Sequence, residues 1–384
     1  MDTGVYEMNR IIFRAVGDNL LHKQVYTSAK KEDGSYCFDG LFEHVRPLIR
    51  EADISVINQE TIYVNNRDKI SAFPSFGSPP EAGDAIKNAG FSVVTHASNH
   101  ALDKGYSAIK DTVDYWEKNA GSCIYAGVHT GKEDAERIRV IEKNGIGIAI
   151  LNYTAVLNYH IIPPLHPWCV DVMKPWSKGR IARQIRQAKE KVDMVAVFPH
   201  WGCEYLYEPI PAQKKWAQFL ADAGADIIIG THPHVLQYKE TIVSSDGREV
   251  PCLYSLGNFI SCQVNQGTML GGMADVSVVK ENGKIKVEKA DIIPLVTHTD
   301  GNYSFFTTYP LSEYNDELAS ENKIFAQMKK NHGWNVNMEY LEKLFEDIME
   351  KRAMETSIYR SPKDIRRHNR RAVINAIMGR SNKG

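Results

Sequence analysis

Seven short apolar runs punctuate the chain: IIFRAVG (11–17), ADISVIN (52–58), FSVVTHA (91–97), GIAILNY (147–153), VDMVAVF (192–198), ADIIIG (225–230) and CLYSLGN (252–258). They are continuous rather than alternating, the pattern of strands buried on both faces. Between them lie segments of helical periodicity, at 40–51, 80–89, 104–120, 178–191 and 211–223. Three of these stop at Ala-Gly, with Gly90, Gly121 and Gly224 as the terminating residues before the next strand; glycine is the usual stop at a helix C-terminus. Strand, helix, strand in this rhythm predicts an α/β architecture.

The style changes after residue 262. MADVSVVKENGKIKVEKADIIPLVT predicts a hairpin turning at Asn282-Gly283, and from 312 onward the pattern is helical and charged. The basic stretch YRSPKDIRRHNRRAVINAIMGR reads as a solvated helix at the domain edge rather than as an arm for a polyanion.

Composition narrows the field. With 384 residues and 43% apolar content, the chain can bury one large core or two domains. Lys plus Arg number 46 and Asp plus Glu 47, so net charge offers no argument for nucleic acid or a membrane as partner. No basic-aromatic interleaving appears in the α/β part, which sets nucleic acid aside. No apolar run approaches the length of about 20 residues needed to span a bilayer. MDTGVYEMNR lacks the apolar stretch of a signal peptide, which predicts a cytoplasmic location. The six cysteines form no CxxC pair, against structural zinc.

The chemistry gathers where the runs end. They deliver Asp18, Glu60, Asn99 with His100 and Asp103, His200 with Glu204, His232 with His234, and Asn258. Ligands in open α/β sheets collect outside the carboxyl ends of strands. These oxygen and nitrogen donors suit Mn²⁺, Fe²⁺ or Zn²⁺. Singly, each has a plainer reading: Asp18 and Asn99 as turn residues, Glu60 as a cap, His200 as a hydrogen-bonded core histidine. His232-Pro-His234 is stronger, since an extended segment with proline at its centre would aim both rings to one side. Asp18, Glu60, Asn99, His200, His232 and His234 make six donors and His22 a seventh, which suits two cations sharing a carboxylate about 3.5–4 Å apart. Trp201 and Tyr205 are expected to wall the pocket. AFPSFGSPP (72–80) and LNYHIIPPLHPW (157–168) read as connectors, with His160 and His166 as candidates to face substrate.

GD, NQE, SNHALDKG, HWGCEY, GTHPHVLQ and YSLGNF, in this order over residues 10–262, resemble the CapA-type poly-γ-glutamate capsule-synthesis proteins, which are similar in turn to calcineurin-like metallophosphoesterases. The resemblance implies a four-layer α/β/β/α sandwich, assigned to residues 1–310; the helical, charged pattern beyond predicts a basic extension at 311–384 packed on it. It implies two divalent metals, Asp18 and His234 serving the first, Asn99, His200 and His232 the second, and Glu60 bridging. His100 would be the general acid and Asp103 its orienting carboxylate; Glu204, Trp201 and Asn258 would touch substrate or support the ligands.

The chain departs from that pattern twice. The superfamily's Asp-x-His is here GDNLLH, so His22 replaces the usual histidine if residues 18–22 form a helical turn. Glu60 stands where an Asp is usual. Members are often membrane-anchored or exported. The functions implied are a metal-dependent phosphoester hydrolase on a small-molecule or polyanionic substrate, a non-hydrolytic polyanion-binding factor in capsule polymer assembly or export, or a γ-glutamyl amidase.

Overall fold

The computed structural model describes residues 9–355, 357–359 and 363–364. The basic stretch after 364 and the first eight residues lie outside them. In chain order the strands are β1 (Asn9–Asn19), β2 (Ile54–Gln59), β3 (Val93–Thr95), β4 (Ile124–Ala126), β5 (Arg139–Lys143), β6 (Ile146–Thr154), β7 (Met194–His200), β8 (Ile227–Ile229), β9 (Leu236–Val243), β10 (Glu249–Leu256), β11 (Asn258–Ile260), β12 (Leu270–Glu281), β13 (Lys284–Thr299) and β14 (Phe306–Pro310). They form two mixed sheets. The first runs β14-β13-β12-β1-β2-β3-β4 with β11 paired to β1, and the second runs β5-β6-β7-β8-β10-β9.

Alternation along the strands builds the layers. On the second sheet, Ile148, Ile150, Met194, Ala196 and Phe198 join the core shared with β1 and β2. Their neighbours Ala149, Leu151, Val195 and Val197 point the other way, onto Ile181, Ile185, Ala217 and Leu220 of helices Lys178–Lys189 and Pro211–Ala223. The rings of Phe13 on β1 and Phe198 on β7 stack between the sheets, 6.2 Å apart. Helices Arg46–Glu51, Glu81–Ala89 and Gly105–Asn119 contribute Ile49, Ile86, Ile109 and Trp116 to the first sheet's core. The protein is therefore a four-layer α/β/β/α sandwich.

The glycine stops are real: Gly90, Gly121 and Gly224 all take positive φ. The hairpin turns at Asn282 (φ 52°) and Gly283 (φ 74°), the left-handed pair that matches strand twist. After 311, helices Asp316–Glu321, Lys323–His332 and Met338–Met349 bury Ile324, Phe325 and Leu341 in the same core as the sandwich.

Candidate metal centre

Each cluster residue is delivered by a local device. At the end of β1 the pairing register slips around Gly17, and the Asp18 amide donates to the carbonyl of Gly257 at 2.9 Å. A Cβ on Gly17 would lie 1.9 Å from that same carbonyl oxygen, so only glycine permits the approach. The slip turns the Asp18 carboxylate inward, as bulges beside functional sites do. Glu60 follows β2, whose six residues are all buried. His200 ends β7.

His232 and His234 follow β8, but not in the extended backbone expected. Both are left-handed, at φ 97° and 61°. Such a conformation costs about 1–3 kcal/mol for each non-glycine residue and persists only where its surroundings enforce it. Here the His232 amide donates to Asp18 Oδ2 at 3.2 Å, and the Tyr205 amide donates to the carbonyl of Pro233 at 2.7 Å. The loop is wound around the Asp18 carboxylate, and that winding brings both rings to one place.

The result is a buried cluster drawn from both sheets. His234 Nδ1 lies 3.2 Å from Asp18 Oδ2 and 3.8 Å from Glu60 Oε2; His200 Nε2 lies 3.7 Å from Glu60 Oε1. Three sets of donors converge closely enough to hold an ion: Asp18, Glu60 and His234; Glu60, His200 and His232; and Glu204, His232 and His234. Glu60 belongs to two of them. Among the described residues, neither Glu60 oxygen has a hydrogen-bond partner, nor does His232 Nδ1, although all three atoms are buried. Buried carboxylate oxygens without donors are costly unless a cation answers them, so this donor set fits a divalent metal.

The electrostatics express the same tension. Burial pushes the Glu60 carboxyl well above its usual range, and the Asp18 and Glu204 charges add to the rise against the pull of His234. Burial and neighbouring imidazoles push His200 and His232 well below theirs, leaving both neutral and ready to ligate. Burial lowers His234 too, but Glu60 and Asp18 outweigh it and lift the ring to about 10.

Beside the cluster, His100 Nδ1 bonds Asp103 Oδ2 at 2.7 Å while Nε2 comes within 3.9 Å of Glu60 Oε1. Asp103 also accepts the Phe76 amide at 2.6 Å, and its other oxygen lies 3.2 Å from His160 Nε2. Asn99 Oδ1 meets His200 Nε2 at 2.8 Å, and Asn258 Oδ1 meets His234 Nδ1 at 3.0 Å.

Trp201 sits elsewhere, and His22 stands beside the cluster, close enough to feel His234 and His100, without joining a donor set. β1 continues to Asn19, so residues 18–22 make no helical turn. His22 instead precedes helix Lys23–Ser28 with extended backbone, packs edge-on against Phe76, and joins none of the three donor sets. Trp201 does not wall the site. His200 faces the cluster, so the next side chain points to the opposite side of the sheet; its indole donates to the carbonyl of Tyr254 at 2.9 Å within the helix-side core. Sequence reasoning overlooked Asn58, whose amide holds Asp18 Oδ1 at 2.8 Å, and Thr231, whose hydroxyl lies 2.9 Å from His200 Nδ1. Thr231 directly precedes His232 and Asn58 lies two residues before Glu60, and that proximity was the available signal.

Comparison with known proteins shows the family. A family model described as bacterial capsule synthesis protein PGA_cap matches residues 13–263. The chain belongs to that capsule synthesis family. It is 31% identical over 263 residues to capsule biosynthesis protein CapA of Bacillus anthracis, covering 66% of this chain and 60% of that one. It is 29% identical over 289 residues to PGA biosynthesis protein CapA of Bacillus subtilis (strain 168), covering 72% and 70%. Among solved structures, a putative 5′-nucleotidase from Staphylococcus aureus superposes with TM-score 0.45 at 14% identity, over 74% of this chain and 54% of that one. The calcineurin-like phosphoesterase YfkN from Bacillus subtilis gives 0.39 at 14%, over 88% and 100%. The α/β/β/α assignment rests on the two sheets themselves. No helix among the described residues is long and apolar enough to cross a membrane.

Proposed function

We propose that this family member is a metal-dependent phosphoester hydrolase with a dinuclear centre. One observation carries the reading: Glu60, its oxygens bare of hydrogen bonds, is common to two buried donor triads, with the His100–Asp103 pair at its edge. Asp18, Glu60 and His234 would hold one divalent ion, and Glu60, His200 and His232, with Asn99, the other. When bound, two such ions supply Lewis-acid charge to a phosphoryl group.

The remaining work belongs to the chain. Asp103 is an acceptor only, so it keeps the proton on His100 Nδ1 and stabilises the imidazolium. Nε2 then faces the cluster and can hand its proton to a leaving oxygen. Asn58 and Thr231 hold Asp18 and His200 in their ligating orientations, and Asn258 does so for His234. Near-complete burial of His200, His232 and Asp18 keeps bulk water from competing for those donors.

The test loads purified protein with Mn²⁺, Fe²⁺ or Zn²⁺ and assays phosphomonoesters, phosphodiesters and a γ-glutamyl peptide. Phosphoester hydrolysis lost on chelation is expected. His100→Ala should lower kcat by about 10²–10⁴-fold with metal content unchanged. Wild type and His100→Ala equally inert across the panel would sink the hydrolase reading, and cleavage of the peptide alone would replace it with an amidase.

A further inference from the structure

A cleft of about 1360 Å³ opens beside the centre, between the 157–168 connector and the helix Lys178–Lys189. Its lining is chiefly apolar, including Ile138, Leu157, Ile161, Ile162, Trp168 and Trp176. Ile161 is 86% exposed and Trp176 79% exposed. Large apolar side chains left open on a concave wall mark a ligand site rather than a solvated surface. Leu165, on the same connector, is 82% exposed.

The cleft shares a wall with the candidate centre. Asn158 and His160 line it, and the same two residues reach Asn99 and the His100–Asp103 pair. Asn158 Oδ1 accepts from Asn99 Nδ2 at 3.3 Å, and His160 Nε2 is 3.2 Å from Asp103 Oδ1. Five cations line the cleft (Lys132, Lys174, Arg180, Arg183 and Lys191) against three carboxylates (Glu136, Asp171 and Glu190). Asp171 is already engaged by Arg180 at 2.6 Å and His129 at 2.7 Å, so the excess charge that remains open is positive.

We propose that this cleft binds the apolar chain of an amphipathic phosphoester, with the phosphate end at the His100–Asp103 wall. The proposal rests on the hydrolase reading and narrows its substrate class. A wholly hydrophilic polyanion would gain nothing from the indole and isoleucine walls. An apolar chain gains about fourfold in affinity for every methylene fully buried there, and the surplus cations favour its anionic head.

The experiment measures binding without turnover. Butyl-, hexyl-, octyl- and decylphosphonate, each below its micelle concentration, are titrated calorimetrically into the Mn²⁺-loaded protein. Affinity should climb by about two- to fourfold per methylene. Ile161→Asp and Trp176→Ala should flatten the series while leaving butylphosphonate affinity within about twofold; both side chains are exposed, so the fold is retained. A flat series in wild type overturns the proposal, as does a steep series that ignores both variants. Anionic phosphatidylglycerol vesicles form the second arm. Loss of vesicle binding in Ile161→Asp with an unchanged phosphonate series would assign these residues to a membrane surface instead. A chain-length-dependent series in a protein that cleaves no phosphoester would refute the hydrolase reading alone.

Discussion

Replacing Glu60 by Gln should pull stability and metal binding in opposite directions. Without metal, the wild-type carboxylate is buried, adjoins Asp18, and has neither oxygen hydrogen-bonded among the described residues. Burial raises its folded pKa above the ordinary 4.5, so the folded state holds the proton more tightly than the unfolded one. Stability of the metal-free protein therefore falls as pH rises above about 4.5, toward the raised folded value. At pH 7 the loss cannot exceed about 3.4 kcal/mol, from 1.36 kcal/mol per pH unit above 4.5, and the cost of unanswered buried acceptors, about 1–3 kcal/mol, falls within it.

Gln is neutral at every pH and escapes that loss. For a chain of this length each kcal/mol moves Tm by about 1 °C. Metal-free Glu60→Gln should thus melt about 1–3 °C above metal-free wild type at pH 7, with the gap closing near pH 4.5. Divalent metal at a hundred times its Kd should add about 2.7 kcal/mol, or about 3 °C, to wild type and far less to the variant. Differential scanning fluorimetry at both pH values, with and without Mn²⁺, reads all of this. A metal-free variant that melts below wild type at pH 7, or one that gains as much from Mn²⁺, would refute the reasoning.

Two further outcomes follow from geometry. Gly17→Ala forces a Cβ to within 1.9 Å of the Gly257 carbonyl; it should displace Asp18, lower Tm by about 1–3 °C through overpacking of about 1–3 kcal/mol, and abolish the Mn²⁺ thermal shift. Away from the centre, Asp171→Asn strips His129 and Arg180 of a buried partner and should cost about 3–5 kcal/mol by urea denaturation. The Asp171 carboxyl sits below its usual range, burial being outweighed by His129 and Arg180, so its contribution is present above about pH 4 and fades as pH falls through the depressed value; the gap between variant and wild type should narrow in acid.

Much of this was visible in the sequence because the strands are buried on both faces and so read as unbroken apolar runs, and because Gly90 and Gly224 end their helices with conformations other residues avoid. β4 and β8 are three residues each; β8 was announced by ADIIIG, while β4 had no such run. β5, RVIEK, is an edge strand with only its first residue buried, too polar to stand out. The His-Pro-His backbone was misread because its left-handed turn is imposed by Asp18 and Tyr205, far apart in sequence. Trp201 was misplaced because aromatic character was weighed without following the alternation that sends it behind the sheet. His22 was judged on a helical turn that β1, running on to Asn19, excludes.

At Gly257 the chain leaves the second sheet at the end of β10 and enters the first as β11, immediately beside Asp18. Three candidate ligands (Asp18, Glu60 and Asn99) come from the first sheet and three (His200, His232 and His234) from the second. An ion seated among them would act as a rivet through both halves of the sandwich, beside a point where the polypeptide itself crosses from one sheet to the other. Separating the sheets and dismantling the centre would then be a single event, and the protein's slowest opening motion would be governed by how long the ion stays.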